Sequence, residues 1–248
     1  DIISITESKK LNDNIIFTGR FKKGINKKLN TITKILSLLR GDKFLINQFF
    51  KINIKKNIPH GSGLGGGSSN AACLLNYLNE KMKLKLKKKY INLVANKVGS
   101  DVSIILKKKN SFLAGKKGKI VRSNKKFKLN LLVVYPNIVC STKKVFQNNR
   151  KESSINPDNL FNSINRKNLI GFLTMEGNDL QETVIKLYPK IKKIINYIKS
   201  LNGCYFSRIT GSGSACIGIF SNIKNANIAK KLIKIKYPNY WCAVSKTI

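Results

Sequence analysis

Between Pro59 and Asn70 the chain reads PHGSGLGGGSSN, and the five glycines at 61, 63, 65, 66 and 67 leave no regular element possible there. What flanks this stretch is regular. Phe50, Ile52 and Ile54 alternate with Lys51, Asn53 and Lys55, the period of a half-buried strand. Ala71, Leu74, Leu75, Leu78 and Met82 then recur at helical spacing. The order is therefore strand, glycine loop, helix. A loop that opens a helix leaves backbone N–H groups unpaired at the positive end of the helix dipole, which favours an anion such as phosphate. Glycine suits the place because it takes positive φ and has no Cβ to keep an anion away. Ser68 and Ser69 add hydroxyls able to bind a phosphate oxygen or a magnesium ion.

The remaining pattern is a mixture. A short helix is expected over Tyr90 to Val98, with Gly99 at the C-terminal position that often requires a left-handed backbone, and Asp101 follows closely. Leu131 to Tyr135 reads as a strand, and Ile191, Ile194, Ile195, Ile198 and Leu201 as an amphipathic helix stopping near Gly203. Ala215 to Phe220 reads as a strand, and Ala226, Ala229, Leu232 and Ile233 as a last helix ending before Pro238. This is an α+β chain. At 248 residues it is one large domain or two small ones. The natural cut falls near Lys128, after the stretch Lys116 to Lys128, which offers little core material, and it gives domains over 1–128 and 129–248.

Several function classes drop out. No apolar run reaches the ~20 residues of a membrane-spanning helix, since Leu129 to Cys140 is broken by Asn130, Pro136 and Asn137. The opening DIISITESKK has neither an initiator Met nor the form of a secretory signal. Cys73, Cys140, Cys204, Cys216 and Cys242 are odd in number and without a Cys-x-x-Cys pair, which fits a reducing cytoplasm better than a disulfide framework or zinc ribbon. His60 is the one histidine, and no Gly-x-Ser-x-Gly elbow accompanies it. With 48 Lys and Arg against 11 Asp and Glu the net charge is +37. Such a charge can bind nucleic acid. The lysines are spread over the whole chain without interleaved aromatics, however, which reads as solvated surface whose field attracts anionic small molecules.

Three phosphate-loop patterns compete for residues 59–70. A Walker A loop needs Gly-Lys-Ser or Gly-Lys-Thr at its end, and here Ser68 and Ser69 follow Gly67. Gly61, Gly63 and Gly66 satisfy the dinucleotide spacing, but Glu80, the acid at the right distance, lies on the helix itself rather than at the end of the next strand. The third pattern fits. Ile58 to Ala72, IPHGSGLGGGSSNAA, resembles the ATP loop of the small-molecule kinases named for galactokinase, homoserine, mevalonate and phosphomevalonate kinases. Gly99, Ser100, Asp101 and Val102 resemble that family's Gly-x-Asp-Val, and Arg208 to Phe220, RITGSGSACIGIF, its third motif. Cys140 to Phe146 and Asn178 to Leu180 also resemble segments of this kind of kinase, so the likeness runs nearly the whole chain in order.

The resemblance implies an N-terminal ATP-binding α+β domain and a C-terminal ferredoxin-like α/β-sandwich domain. It implies ATP and Mg2+, with Pro59, His60, Gly61, Ser62, Gly63, Leu64, Gly65, Gly66, Gly67, Ser68 and Ser69 at the phosphates and Ser68 or Ser69 at the metal. Asp101 becomes the catalytic base or hydroxyl-orienting group, and Gly211, Ser212, Gly213 and Ser214 a second glycine loop completing the pocket. The implied acceptor is the 2-hydroxyl of 4-diphosphocytidyl-2-C-methyl-D-erythritol, with no nucleic acid or membrane partner.

There are departures. The family's opening Lys-Ile-Asn strand and its Tyr-His pair have no counterpart from Asp1 onward. Lys51-Ile52-Asn53 sits just before the ATP loop, so Lys51 is not given the family lysine's role. Asn70 stands where an aspartate is usual, and Ser103 where a proline is usual. The other readings are a homoserine- or mevalonate-type kinase, an inactive truncated kinase, and a basic nucleic-acid-binding domain. From its residues alone, Asp101 could equally be an N-cap on the helix that follows.

Overall fold

The computed structural model describes residues 1–107, 109–114, 119–122, 125–149 and 165–247. The chain divides into two compact units, one made of Asp1–His60 with Gly65–Lys108, the other of Gly61–Leu64 with Lys109–Ile248.

In the first unit, β1 (Ile2–Glu7), β2 (Asn14–Thr18) and β3 (Phe50–Lys55) form a sheet in the order β1-β3-β2. β3 is central, antiparallel to β1 and parallel to β2. That position explains its clean alternation: Phe50, Ile52 and Ile54 are fully buried while Lys51, Asn53 and Lys55 are exposed. The four helices are α1 (Thr31–Gly41), α2 (Gly66–Lys81), α3 (Lys88–Val98) and α4 (Ser100–Ile105). α1 starts on a capping box, in which the Asn30 side chain accepts from the amides of Ile32 and Thr33 and Thr33 Oγ1 accepts from the Asn30 amide. Ile32, Ile35, Leu36 and Leu39 of α1 share one core with Leu74, Leu75 and Leu78 of α2, Val94 of α3 and the inner face of β3. The helical spacing read from Ala71 onward is thus the buried stripe of α2.

The second unit contains a hairpin, β4 (Ser111–Ala114) with β5 (Lys119–Arg122). It also contains a four-stranded antiparallel sheet of β6 (Asn130–Tyr135), β7 (Cys204–Ile209), β8 (Cys216–Phe220) and β9 (Trp241–Lys246), in the order β7-β8-β6-β9. Its helices are α5 (Thr142–Asn148), α6 (Arg166–Met175), α7 (Gln181–Leu187), α8 (Lys190–Lys199) and α9 (Ile223–Lys236). The path β6-α8-β7-β8-α9-β9 is the ferredoxin-like β-α-β-β-α-β arrangement, with α5, α6 and α7 inserted before α8. One face of the sheet packs Leu132, Val134, Cys216 and Phe220 against Ile191, Ile194, Ile195 and Ile198 of α8 and Ala226, Ala229 and Ile233 of α9. The other packs Leu129, Phe206 and Ile219 against Leu169, Ile170 and Leu173 of α6. A sheet covered on both faces needs near-continuous apolar strands, which is why LLVVY and CIGIF read as runs rather than alternations. The lysine-rich stretch ending at Lys128 lies partly outside the described residues, but its Phe127 is core, at 9% exposure. Among the described residues no helix is long and apolar enough to cross a membrane.

Candidate active site

α2 opens on Gly65, whose φ of 64° and ψ of 18° are left-handed, and no side chain caps the helix. Ser69 makes the first intrahelical bond, its amide donating to Gly65 O at 2.8 Å. The amides of Gly66, Gly67 and Ser68 precede that bond and so have no place in the helix ladder. α1, α5, α6 and α9 begin differently, with Asn30, Ser141, Asn165 and Asn222 accepting from their first-turn amides. The bare start of a 16-residue helix is an anion-binding arrangement, because unpaired donors and the dipole act in the same direction. A Cβ on Gly67 would meet nothing nearer than 3.8 Å, so the approach there is open. Gly66 is different: its Cβ would stand 3.3 Å from Ile58 Cγ2, a tight contact in which Ile58 would have to yield by a few tenths of an ångström. Ser68 and Ser69, both half-buried, sit in the same first turn.

The earlier half of the loop, Gly61–Leu64, belongs to the second unit, and the Thr210–Ala215 turn of that unit holds it. Ala215 N donates to Ser62 O at 2.9 Å, and Cys140 N to Gly61 O at 3.2 Å. A Cβ on Gly63, at φ 76°, would lie 2.1 Å from Thr210 O, so only glycine fits. The two glycine-rich segments singled out in the sequence are thus in backbone contact. Ser62 is 1% exposed and Ser214 fully buried, its hydroxyl donating to Ile138 O. Ser212, also buried, shares a hydrogen bond with Thr142 Oγ1 at 2.9 Å. The hydroxyls of Ser212 and Ser214 are thus engaged within the protein, and Ser62 is held through its backbone carbonyl.

Asp101 lies in the first turn of α4 and is exposed. The cap position of α4 belongs to Gly99, so the capping role open to Asp101 on residues alone is not the one it takes. Gly99 departs from expectation as well. Its φ of 171° and ψ of 150° are extended rather than left-handed, and it both closes α3, donating to Ala95 O, and opens α4, accepting from Val102 N. Ser103 is buried, with its hydroxyl bonded to Asn96 of α3. His60 donates from Nε2 to Lys23 O at 2.6 Å, the part of a loop-fixing residue, and Lys51 lies on the exposed face of β3. Burial pushes the Cys140 thiol up to about 11 and the Cys216 thiol to about 12, so neither is a thiolate nucleophile at neutral pH.

Sequence reasoning missed a buried carboxylate under the start of α2. Asp1 Oδ1 accepts from the amides of Asn57 and Ile58, each at 2.9 Å, and Oδ2 accepts from Asn70 Nδ2 at 2.8 Å and from Lys56 Nζ. The Asp1 and Lys56 side chains are 2% and 3% exposed. Asn70 is thereby accounted for: its amide donates to a carboxylate, which an ionised aspartate cannot do. The available signal was Lys56 itself, which breaks the alternation of β3 by following Lys55 with a second lysine that must point inward.

Among the described residues no group of three His, Cys, Asp or Glu could hold a metal ion. Ser68 and Ser69, in the first turn of α2, are hydroxyls that could contribute to a Mg2+ ion carried by bound phosphates.

An α+β unit with a bare glycine-loop helix start, in a chain whose second unit is ferredoxin-like, defines an ATP-dependent small-molecule kinase. The chain belongs to the GHMP kinases: the N-terminal domain of that family matches residues 30–108 and the C-terminal domain residues 160–239. It is 38% identical to the 4-diphosphocytidyl-2-C-methyl-D-erythritol kinase of Pelagibacter ubique, over 100% of this chain and 86% of that one. It is 32% identical to the enzyme of the same name from Anaplasma phagocytophilum, over 90% and 75%. Among solved structures it resembles a 4-(cytidine 5'-diphospho)-2C-methyl-D-erythritol kinase (TM-score 0.74, 20% identity, 98% of this chain and 84% of that one). It also resembles the homoserine kinase of Cytophaga hutchinsonii (TM-score 0.76, 17% identity, 99% and 85%).

Proposed function

We propose that this kinase transfers the γ-phosphoryl group of ATP to the 2-hydroxyl of 4-diphosphocytidyl-2-C-methyl-D-erythritol, a step of the methylerythritol phosphate route to isoprenoids. The observation that carries the phosphate half of this reading is the uncapped start of α2 behind left-handed Gly65. The acceptor is taken from the relatives' names, which agree across identities of 30% to 38%. Phosphoryl transfer asks a protein chiefly to position the acceptor and stabilise spreading charge. The amides of Gly66, Gly67 and Ser68 would donate to phosphate oxygens and grow stronger as charge develops there. Bound Mg2+, held through the phosphates and Ser68 or Ser69, would neutralise that charge. Asp101, exposed and free of capping duty, would accept or orient the proton of the acceptor hydroxyl. Pro59, His60 and Gly61 to Leu64 would shape the approach to the phosphates, and Gly211 to Ser214 would hold that segment in place. On this reading the partner is a small anionic substrate rather than a nucleic acid, and five free cysteines suit a cytoplasmic setting.

The test is an acceptor panel. Purified full-length protein with Mg-ATP should release ADP with 4-diphosphocytidyl-2-C-methyl-D-erythritol and give a 2-phosphate by phosphorus NMR, with homoserine and mevalonate inert. Turnover of either of those instead would reject the acceptor while leaving the kinase assignment intact.

A further inference from the structure

The buried ion pair beneath α2 is unused by the mechanism above, and its position gives it an electrostatic consequence. A Cβ on Gly66 would stand 3.6 Å from Asp1 Oδ2, so the carboxylate lies directly under the first residue of the helix, on the side away from solvent. A buried carboxylate at a helix N-terminus is itself stabilised by the dipole. Left alone it would consume the positive field that an incoming phosphate needs and would repel that phosphate through a poorly screening interior. Lys56 Nζ sits on the same oxygen and makes the pair neutral. Burial lowers Lys56 to about 8, which leaves it largely protonated at neutral pH.

We infer that Lys56 is a positioning residue for the nucleotide: by neutralising Asp1 it keeps the start of α2 attractive to phosphate, without touching the ligand. The inference rests on the reading that Gly66, Gly67 and Ser68 hold the phosphates of ATP. Asp1 supplies the mechanical half of the same device. Its two oxygens tie Asn57 and Ile58, before the glycine loop, to Asn70, after it, and so set the distance between the loop's stems.

An electrostatic role makes a graded prediction that a merely structural one does not, because the penalty must scale with ligand charge. Binding of ATP, ADP and AMP to the full-length protein at pH 7 is measured by titration calorimetry for the wild type, Lys56→Gln, Asp1→Asn and the double variant. Wild-type binding of ATP tests the loop reading by itself. With that established, Lys56→Gln should weaken ATP about 10- to 100-fold, ADP less and AMP least. The double variant, with no buried charge, should recover most of the loss. Asp1→Asn alone takes the negative charge from under the helix, and Lys56, buried without its partner, gives up its proton; any loss from the weakened tie to Asn70 should then fall equally on ATP, ADP and AMP. Should Lys56→Gln not fold, Asp1→Asn decides alone: ATP weakened more than AMP overturns the inference. Equal losses for the three nucleotides in Lys56→Gln, with no recovery in the double variant, overturn it equally.

Discussion

At the scale of single residues, the proposed chemistry concentrates on one exposed carboxylate and a few bare amides. Asp101 was legible in the sequence only through its motif, because its type and spacing suit a helix cap equally well; the structure gives the cap position to Gly99. In the full-length protein Asp101→Asn should lower kcat by about two to four orders of magnitude while ATP affinity stays within a few-fold, since amide and carboxylate have the same size but only one accepts a proton. Steady-state rates and calorimetry on one preparation measure both. Near-wild-type kcat would remove Asp101 from the reaction. Other residues have surroundings that the sequence did not announce. Ser62, Ser212 and Ser214 are buried, and the hydroxyls of Ser212 and Ser214 bond to Thr142 and Ile138, which are distant in sequence. Asp1 carried no local signal, because its partners Lys56 and Asn70 lie more than fifty residues away.

At the scale of elements, strong periodicity translated directly into structure. β3, α2, α8 and β8 stand where alternation or helical spacing placed them, within a few residues. β1, β2 and α1 escaped notice. The first two are short edge strands around β3, with Ile2 57% exposed, so half of their apolar pattern is never buried. Gly218 records a contact that no periodicity announces. A Cβ there would come within 2.5 Å of Ile198 Cγ2, because α8 lies directly on β8. Gly218→Ala should therefore destabilise the second unit by about 1–3 kcal/mol through overpacking. Urea unfolding checks it as a lower midpoint at an unchanged slope; an unchanged midpoint would mean that α8 shifts at no cost.

At the scale of the whole molecule, the net charge of +37 surrounds a reaction whose proposed substrates are both anionic. A field of that sign raises the local concentration of such substrates, and salt screens it: the Debye length falls from about 10 Å at 0.1 M to about 3 Å at 1 M. KM for ATP should rise several-fold over that range of sodium chloride while kcat changes little, as initial-rate measurements would show; a flat KM would mean that the lysines do not steer substrate. The sheet of the second unit has a consequence for synthesis. β6 lies inside it, paired along its length with β9, which the ribosome delivers only after β6, β7 and β8. Until Trp241 emerges, or in any product of a premature stop before it, the apolar run Leu131 to Tyr135 has one edge of peptide groups unsatisfied, a ready template for a second nascent chain. Quality control of this kinase is thus staked on the codons of β9.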